Sequence, residues 1–227
     1  MKTLVIDPGH GGHDPGACGH GFAEAEIVLD VSLKLALAMD HLADVFLTRR
    51  SDKYLTLSER ARKSNQLDAD LFVSIHCNSA SNTSARGFEL FTSPGETQAD
   101  PVANVLYKRW EQDRPLGQDS PMRRGNTSGP DKEANFTVLA KTSAPAVLVE
   151  LGFISNQLEA GRLADPEFQE RIVDCLMLGI SQSIGLTSTI SPPMPAASPA
   201  QIAWNGLGKS GPVTRDFSDG FEAGRRA

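Results

Sequence analysis

Four residues of this chain have the types and positions needed for metal-assisted acid–base chemistry: His10, Glu24, His76 and Glu150. Two imidazoles with one carboxylate form a ligand set for catalytic zinc, with the fourth position left for water. A second carboxylate close to that water can act as base and then as acid. Such a centre needs no nucleophilic serine or cysteine. Taken singly, each of the four also suits a hydrogen-bonded or solvated element end. The reading rests on their occurring together, so what matters is whether the chain's elements can bring them together.

The apolar pattern says that they can. Leu4, Val5 and Ile6 form a short aliphatic run that reads as a buried strand. It opens into a loop holding Gly9, Gly11, Gly12 and Gly16, where the lack of Cβ atoms permits close approach to another group. His10 stands at that exit. Residues 70–78 form a second apolar strand carrying His76 near its end, and residues 146–150 a third that ends on Glu150. In an open α/β sheet, strand C-termini sharing one edge converge on one crevice. Glu24 begins a helical stretch in which Ile27, Val31, Leu35 and Met39 recur every four residues and form one buried stripe. Glu24 and Glu26 both fall in its first turn, where the helix dipole favours a carboxylate.

The remaining elements follow from the same patterns. Strands are expected at 44–48 and 87–91. Helices are expected at 57–65 (with Thr56 or Ser58 as N-cap), at 98–111 with Val102, Leu106 and Trp110 inward, and at 166–184 with Phe168, Ile172, Leu176 and Ile180 inward. Ser155 or Asn156 is expected to cap a turn or short helix. Residues 114–132, rich in Pro, Gly and Arg, read as a long loop that includes Arg123 and Arg124, and loops of that length are often functional. At 227 residues the chain can bury one full core. The expected organisation is one α/β domain over 1–186, a Ser/Pro/Ala-rich linker over 187–200, and a tail over 201–227 that is docked or disordered.

Bulk properties exclude several functions. A net charge of −6 argues against a nucleic-acid binder. No apolar run reaches the roughly 20 residues of a membrane span. Cys18, Cys77 and Cys175 are odd in number and lack a CxxC spacing, so neither a disulfide framework nor a thiolate zinc site is expected. With no basic and apolar leader ahead of the first strand, the chain is expected in the cytoplasm until release, unless a leader has been removed. No pattern calls for an oligomer, so a monomer is expected.

The motifs resemble the zinc-dependent N-acetylmuramoyl-L-alanine amidases, a large bacterial and phage family of cell-wall hydrolases. The resemblance runs from Val5 to Gly12 through His10, then Glu24 with Leu29 and Leu33. It continues through Leu47 to Arg49 with Asp52, Leu57 to Arg60 with Asn65, Ala69 to Asn78, and Pro145 to Asn156. It implies a twisted mixed sheet with helices on both faces and one zinc ion held by His10, Glu24 and His76. It also implies Glu150 as the catalytic carboxylate, and peptidoglycan as substrate, cut at the amide joining N-acetylmuramic acid to L-alanine. Among substrate contacts, Asn78 lies two residues past His76 and so on the same side of an extended strand. Arg124, with Arg123, is expected to meet stem-peptide carboxylates. Cys77 stands where the family commonly has alanine, and alternation should turn its thiol away from His76. Two rivals remain, a zinc peptidase acting within the stem and a catalytically inactive wall-binding protein.

Overall fold

The structure is a computed structural model that describes residues 1–125 and 129–186. The expected linker and tail lie outside the described residues. In chain order the elements are β1 (Thr3–Pro8), β2 (Cys18–Gly19), β3 (Phe22–Ala23), α1 (Glu24–Met39), β4 (Asp44–Leu47), α2 (Leu57–Gln66) and β5 (Leu71–Asn78). They continue with β6 (Glu89–Thr92), α3 (Asp100–Asp113), β7 (Lys132–Glu133), α4 (Thr137–Ala140), β8 (Ala146–Phe153), α5 (Gln157–Ala164) and α6 (Pro166–Ser183).

Six strands form one mixed sheet in the order β4-β1-β5-β8-β6-β7. The first four run parallel, whereas β6 pairs antiparallel with β8 and parallel with β7. The strand order reverses at β1, with β4 on one side and β5 on the other. Beside such a reversal, the loops at the carboxyl ends part and leave a crevice. β1 exits there into the His10 loop, and β5 carries His76.

Helices cover both faces, as the resemblance implies. Alternation in β1, β5 and β8 sends Leu4, Ile6, Val73, Ile75, Val147 and Val149 to one side, into the main core beneath α1, α3 and α6. The four-residue stripe of α1 is buried along its length, each such side chain contributing roughly 1.5–3 kcal/mol. On the other side Val5, Phe72, Ala146 and Leu148 meet Val138 and Leu139 of the short helix α4, against which α2 packs. Three helix starts are fixed by side chains. Thr56 and Glu59 make a reciprocal capping box on α2, Asn156 accepts from two amides of α5, and Asp165 accepts from two of α6 ahead of Pro166.

Several boundaries differ from the sequence reading. β8 continues three residues past Glu150 to Phe153, because it is flanked by β5 and β6 and its pairing persists across a bulge to Asn78↔Phe153. Glu150 is therefore a mid-strand residue. Helix α3 starts and ends two residues later than the pattern predicts, with Pro101 in its first turn. The long loop is partly ordered by pairing, through the parallel bridge Phe88↔Met122 and through β7.

Candidate active site

Backbone geometry brings His10 to the sheet edge. The residue takes φ 59°, a left-handed conformation uncommon away from glycine, so neighbours must hold it. Two buried arginines do so. Arg49 donates through Nε to the Pro8 carbonyl (3.0 Å) and through Nη2 to the carbonyls of Gly9 (2.7 Å) and Ala25 (2.8 Å). Arg60 donates to the carbonyls of Pro8 and His10, each at 2.6 Å. Its charge is balanced by buried Asp7, 2.9 Å away, which also accepts from Thr48 and Ser74. The glycines leave room for imidazoles. A Cβ on Gly9 would lie 2.3 Å from the His76 ring, and one on Gly16 would lie 2.7 Å from both His10 and Glu24.

Three side chains converge. Glu24 Oε1 lies 3.1 Å from His10 Nε2 and 2.9 Å from His76 Nδ1. Its carboxylate also accepts from the backbone amides of Ala17 (2.9 Å) and Cys77 (3.0 Å). His10 uses its remaining nitrogen, Nδ1, on Asp14 at 2.9 Å, the carboxylate–imidazole arrangement that fixes the ring of a metal-binding histidine. Among the described residues His10, Glu24 and His76 are the one group able to hold a metal, their donor atoms all lying within 4.8 Å of one another. Donors around a tetrahedral ion with bonds of about 2.0–2.1 Å stand roughly 3.3 Å apart. The two Glu24–histidine separations lie close to that value, and the N,N,O donor set suits a borderline-soft divalent ion.

Charge in the cluster is strongly coupled. Burial alone would raise the Glu24 pKa, but its hydrogen bonds to the two histidines hold it far below the ordinary carboxylate range. Burial would lower that of His10, yet Glu24 and Asp14 outweigh it and raise it to about 9. Metal binding must displace that proton, so affinity should weaken in acid.

Glu150 stands in register with His76 on β5 and with Glu89 on β6. Alternation puts all three on the face that carries Phe72, Leu148 and Phe91, beyond the part that α4 covers. They form one row across the sheet: His76, Glu150, Glu89. Glu150 Oε2 is buried and has no hydrogen-bond partner among the described residues. Burial pushes the Glu150 pKa up to about 7. His76 opposes the rise, and the nearby Glu24 and Glu89 add to it. A carboxyl with one unengaged oxygen and a proton affinity near neutrality can both take and return a proton.

The other expected residues separate. Asn78 does face this side, where its Nδ2 donates to Glu89 at 3.0 Å. Arg123 reaches Glu89 through Nε. Arg124 does not join them. It is exposed, with its guanidinium 5.1 Å above the Tyr107 ring, and lines a recess of about 550 Å³ that also includes Arg86 and Arg114. Cys77 is buried, where desolvation raises its thiol well above the usual range, and its side chain packs in the main core as alternation predicts. His13 lies on Tyr54, and His20 contacts the Ser155 carbonyl, so neither belongs to the cluster.

Sequence reasoning missed Glu89, Asp14 and the roles of Arg49 and Arg60. A signal for Glu89 was present, because it sits between Phe88 and Leu90, both fully buried in the core. A charged residue alternating with such neighbours must face the other side of the sheet.

Similarity to known proteins covers this whole region. A sequence profile described as N-acetylmuramoyl-L-alanine amidase matches residues 4–182. The chain is 32% identical over 194 residues to the sporulation-specific N-acetylmuramoyl-L-alanine amidase of Bacillus subtilis, covering 84% of this chain and 71% of that one. It is 34% identical over 195 residues to the endolysin of Bacillus phage SPP1, covering 82% and 67% respectively. Among solved structures, the catalytic domain of CwlV from Bacillus (Paenibacillus) polymyxa superposes with a TM-score of 0.72 at 31% identity, covering 82% of this chain and all of that one.

Proposed function

From its membership of the N-acetylmuramoyl-L-alanine amidase family, to which the chain belongs, we infer that it hydrolyses peptidoglycan at the amide between N-acetylmuramic acid and L-alanine of the stem peptide. We assign His10, Glu24 and His76 as ligands of one zinc ion and Glu150 as the catalytic carboxylate. The observation that carries this reading is the placement of Glu150, with its buried oxygen, directly beside His76 in one strand row, His76 being one of the three convergent donors. Bound there, zinc lowers the pKa of water to about 7 and polarises a carbonyl.

The protein's own groups account for the remaining steps. Glu24 contributes a negative charge that two backbone amides keep in place, so the ligand is fixed before the metal arrives. Asp14 holds His10 with Nε2 turned inward. Glu150 accepts the proton of the attacking water and donates it to the departing amine of L-alanine, without which an unstrained amide does not break. Outside the chemical step, Asn78 serves substrate binding by holding Glu89, and Arg124 offers its exposed guanidinium to a more distant carboxylate of the stem. The site is complete within one chain, so we propose a monomer acting at the cell wall. No described helix is long and apolar enough to cross a membrane.

Replacing Glu150 separates metal binding from chemistry. The variant Glu150→Gln keeps the side-chain volume and all three ligands. It should retain the parent's zinc content while solubilisation of labelled peptidoglycan falls by about 100-fold to 10,000-fold. Parental turnover in the zinc-loaded variant would remove Glu150 from the mechanism.

A further inference from the structure

The row continues past Glu150 to a group that the hydrolysis step does not use. Glu89 is only 3% exposed, and it is contacted by Arg123 through Nε, by Lys132 at 2.9 Å and by Asn78 at 3.0 Å. One buried negative charge thus holds two cations whose side chains remain 39% and 29% exposed. Arg123 meets Glu89 through the nitrogen nearest its aliphatic chain and lies 5.1 Å above the Phe153 ring. That geometry leaves its terminal nitrogens, the pair that matches a carboxylate bidentately, for a ligand. Lys132 lies 5.8 Å above Phe91, which in turn packs on the exposed Phe136. The two cations are therefore braced by a carboxylate below and aromatic rings beside them.

We propose that Arg123 and Lys132, positioned by Glu89, form a subsite for a free carboxylate of the stem peptide on the leaving-amine side of the scissile bond. The inference rests on the amidase reading above and adds a direction to it. His76, with His10 and Glu24 gathered about it, lies at one end of the row, Glu150 follows, and the cations lie at the other end. Glu150 must reach the nitrogen that departs, so the peptide beyond that nitrogen runs over Glu150 towards Glu89 and away from the metal. Neighbouring strands are about 4.8 Å apart, so the Glu89 position lies about 10 Å from that of His76. Each extended residue advances at most about 3.6 Å, so two residues span about 7 Å from the scissile nitrogen. The second stem residue, a γ-linked D-glutamate, carries its free α-carboxylate at that reach. In walls where this group is an α-amide, the charge is absent.

Two sets of glycan strands test the assignment, bearing stem peptides that differ only in having D-glutamate or its α-amide at the second position. The zinc-loaded parent should cleave the acid form with a kcat/KM about 10-fold to 100-fold above the amide form. Arg123→Gln and Lys132→Met, tested separately in case one fails to fold, should collapse that ratio towards one, because cleavage of the acid form falls far more than cleavage of the amide form. A merely structural role would lower both rates together and keep the ratio, and that result overturns the subsite. Equal cleavage of acid and amide forms by the parent also overturns it, with the amidase left standing. Cleavage of neither form by zinc-loaded parent overturns the amidase reading and the subsite with it.

Discussion

Desolvation gives Glu150 a proton affinity that a solvated glutamate lacks. Its pKa moves from 4.5 to about 7, so between these values the folded chain holds a proton that the unfolded chain has released. A carboxyl raised on folding contributes its stability fully below about pH 4.5 and loses it as the pH rises through 7. Glu150→Gln removes this dependence. In chelator-treated protein, the variant's unfolding free energy should gain on the parent's between pH 5 and pH 8 by up to about 3 kcal/mol, at 1.36 kcal/mol per pKa unit. Urea titrations at the two pH values measure it. A difference that stays constant with pH would mean that the carboxyl is not desolvated on folding.

At the scale of elements, the His10 loop is held more by its neighbours than by its own sequence. Arg60, from α2, satisfies Asp7 and the carbonyls of Pro8 and His10 from a site that is 2% exposed. Replacement by methionine leaves Asp7 buried without its ion partner, a loss of about 3–5 kcal/mol. Arg60→Met should therefore show that fall in urea unfolding together with weaker zinc binding, although it touches no donor atom. Unchanged zinc affinity in folded variant would show that His10 keeps its left-handed conformation unaided. Much of this architecture was legible in the residues. The four-residue stripe of α1, the alternation that turns Cys77 away from His76 and the cap at Thr56 are local signals, and each carries over into the structure. The Glu89 row was not legible, because it depends on the register of β6 against β8, and nothing within either segment specifies that pairing. Helix α4 is a single turn of four residues and the strands β2, β3 and β7 have two residues each, too few for a helical or a strand period to register. The arginine anchors fall within the motifs, but their carbonyl partners come from other segments.

For the whole molecule, an acidic chain keeps its local positive charge beside the catalytic row, where an acidic stem peptide would meet it. On the roles proposed here, the sheet would order three functions along one line: metal binding at His76, proton transfer at Glu150 and substrate anchoring beside Glu89. The bond that is cut separates an amidase from a peptidase. The most direct test is digestion of purified peptidoglycan by zinc-loaded and chelator-treated protein, with products identified by mass spectrometry. Intact stem peptides with a new L-alanine amino terminus should be released by the zinc-loaded protein and be absent after chelation. Shortened stems still attached to N-acetylmuramic acid would contradict the amidase reading and mark the protein as a peptidase.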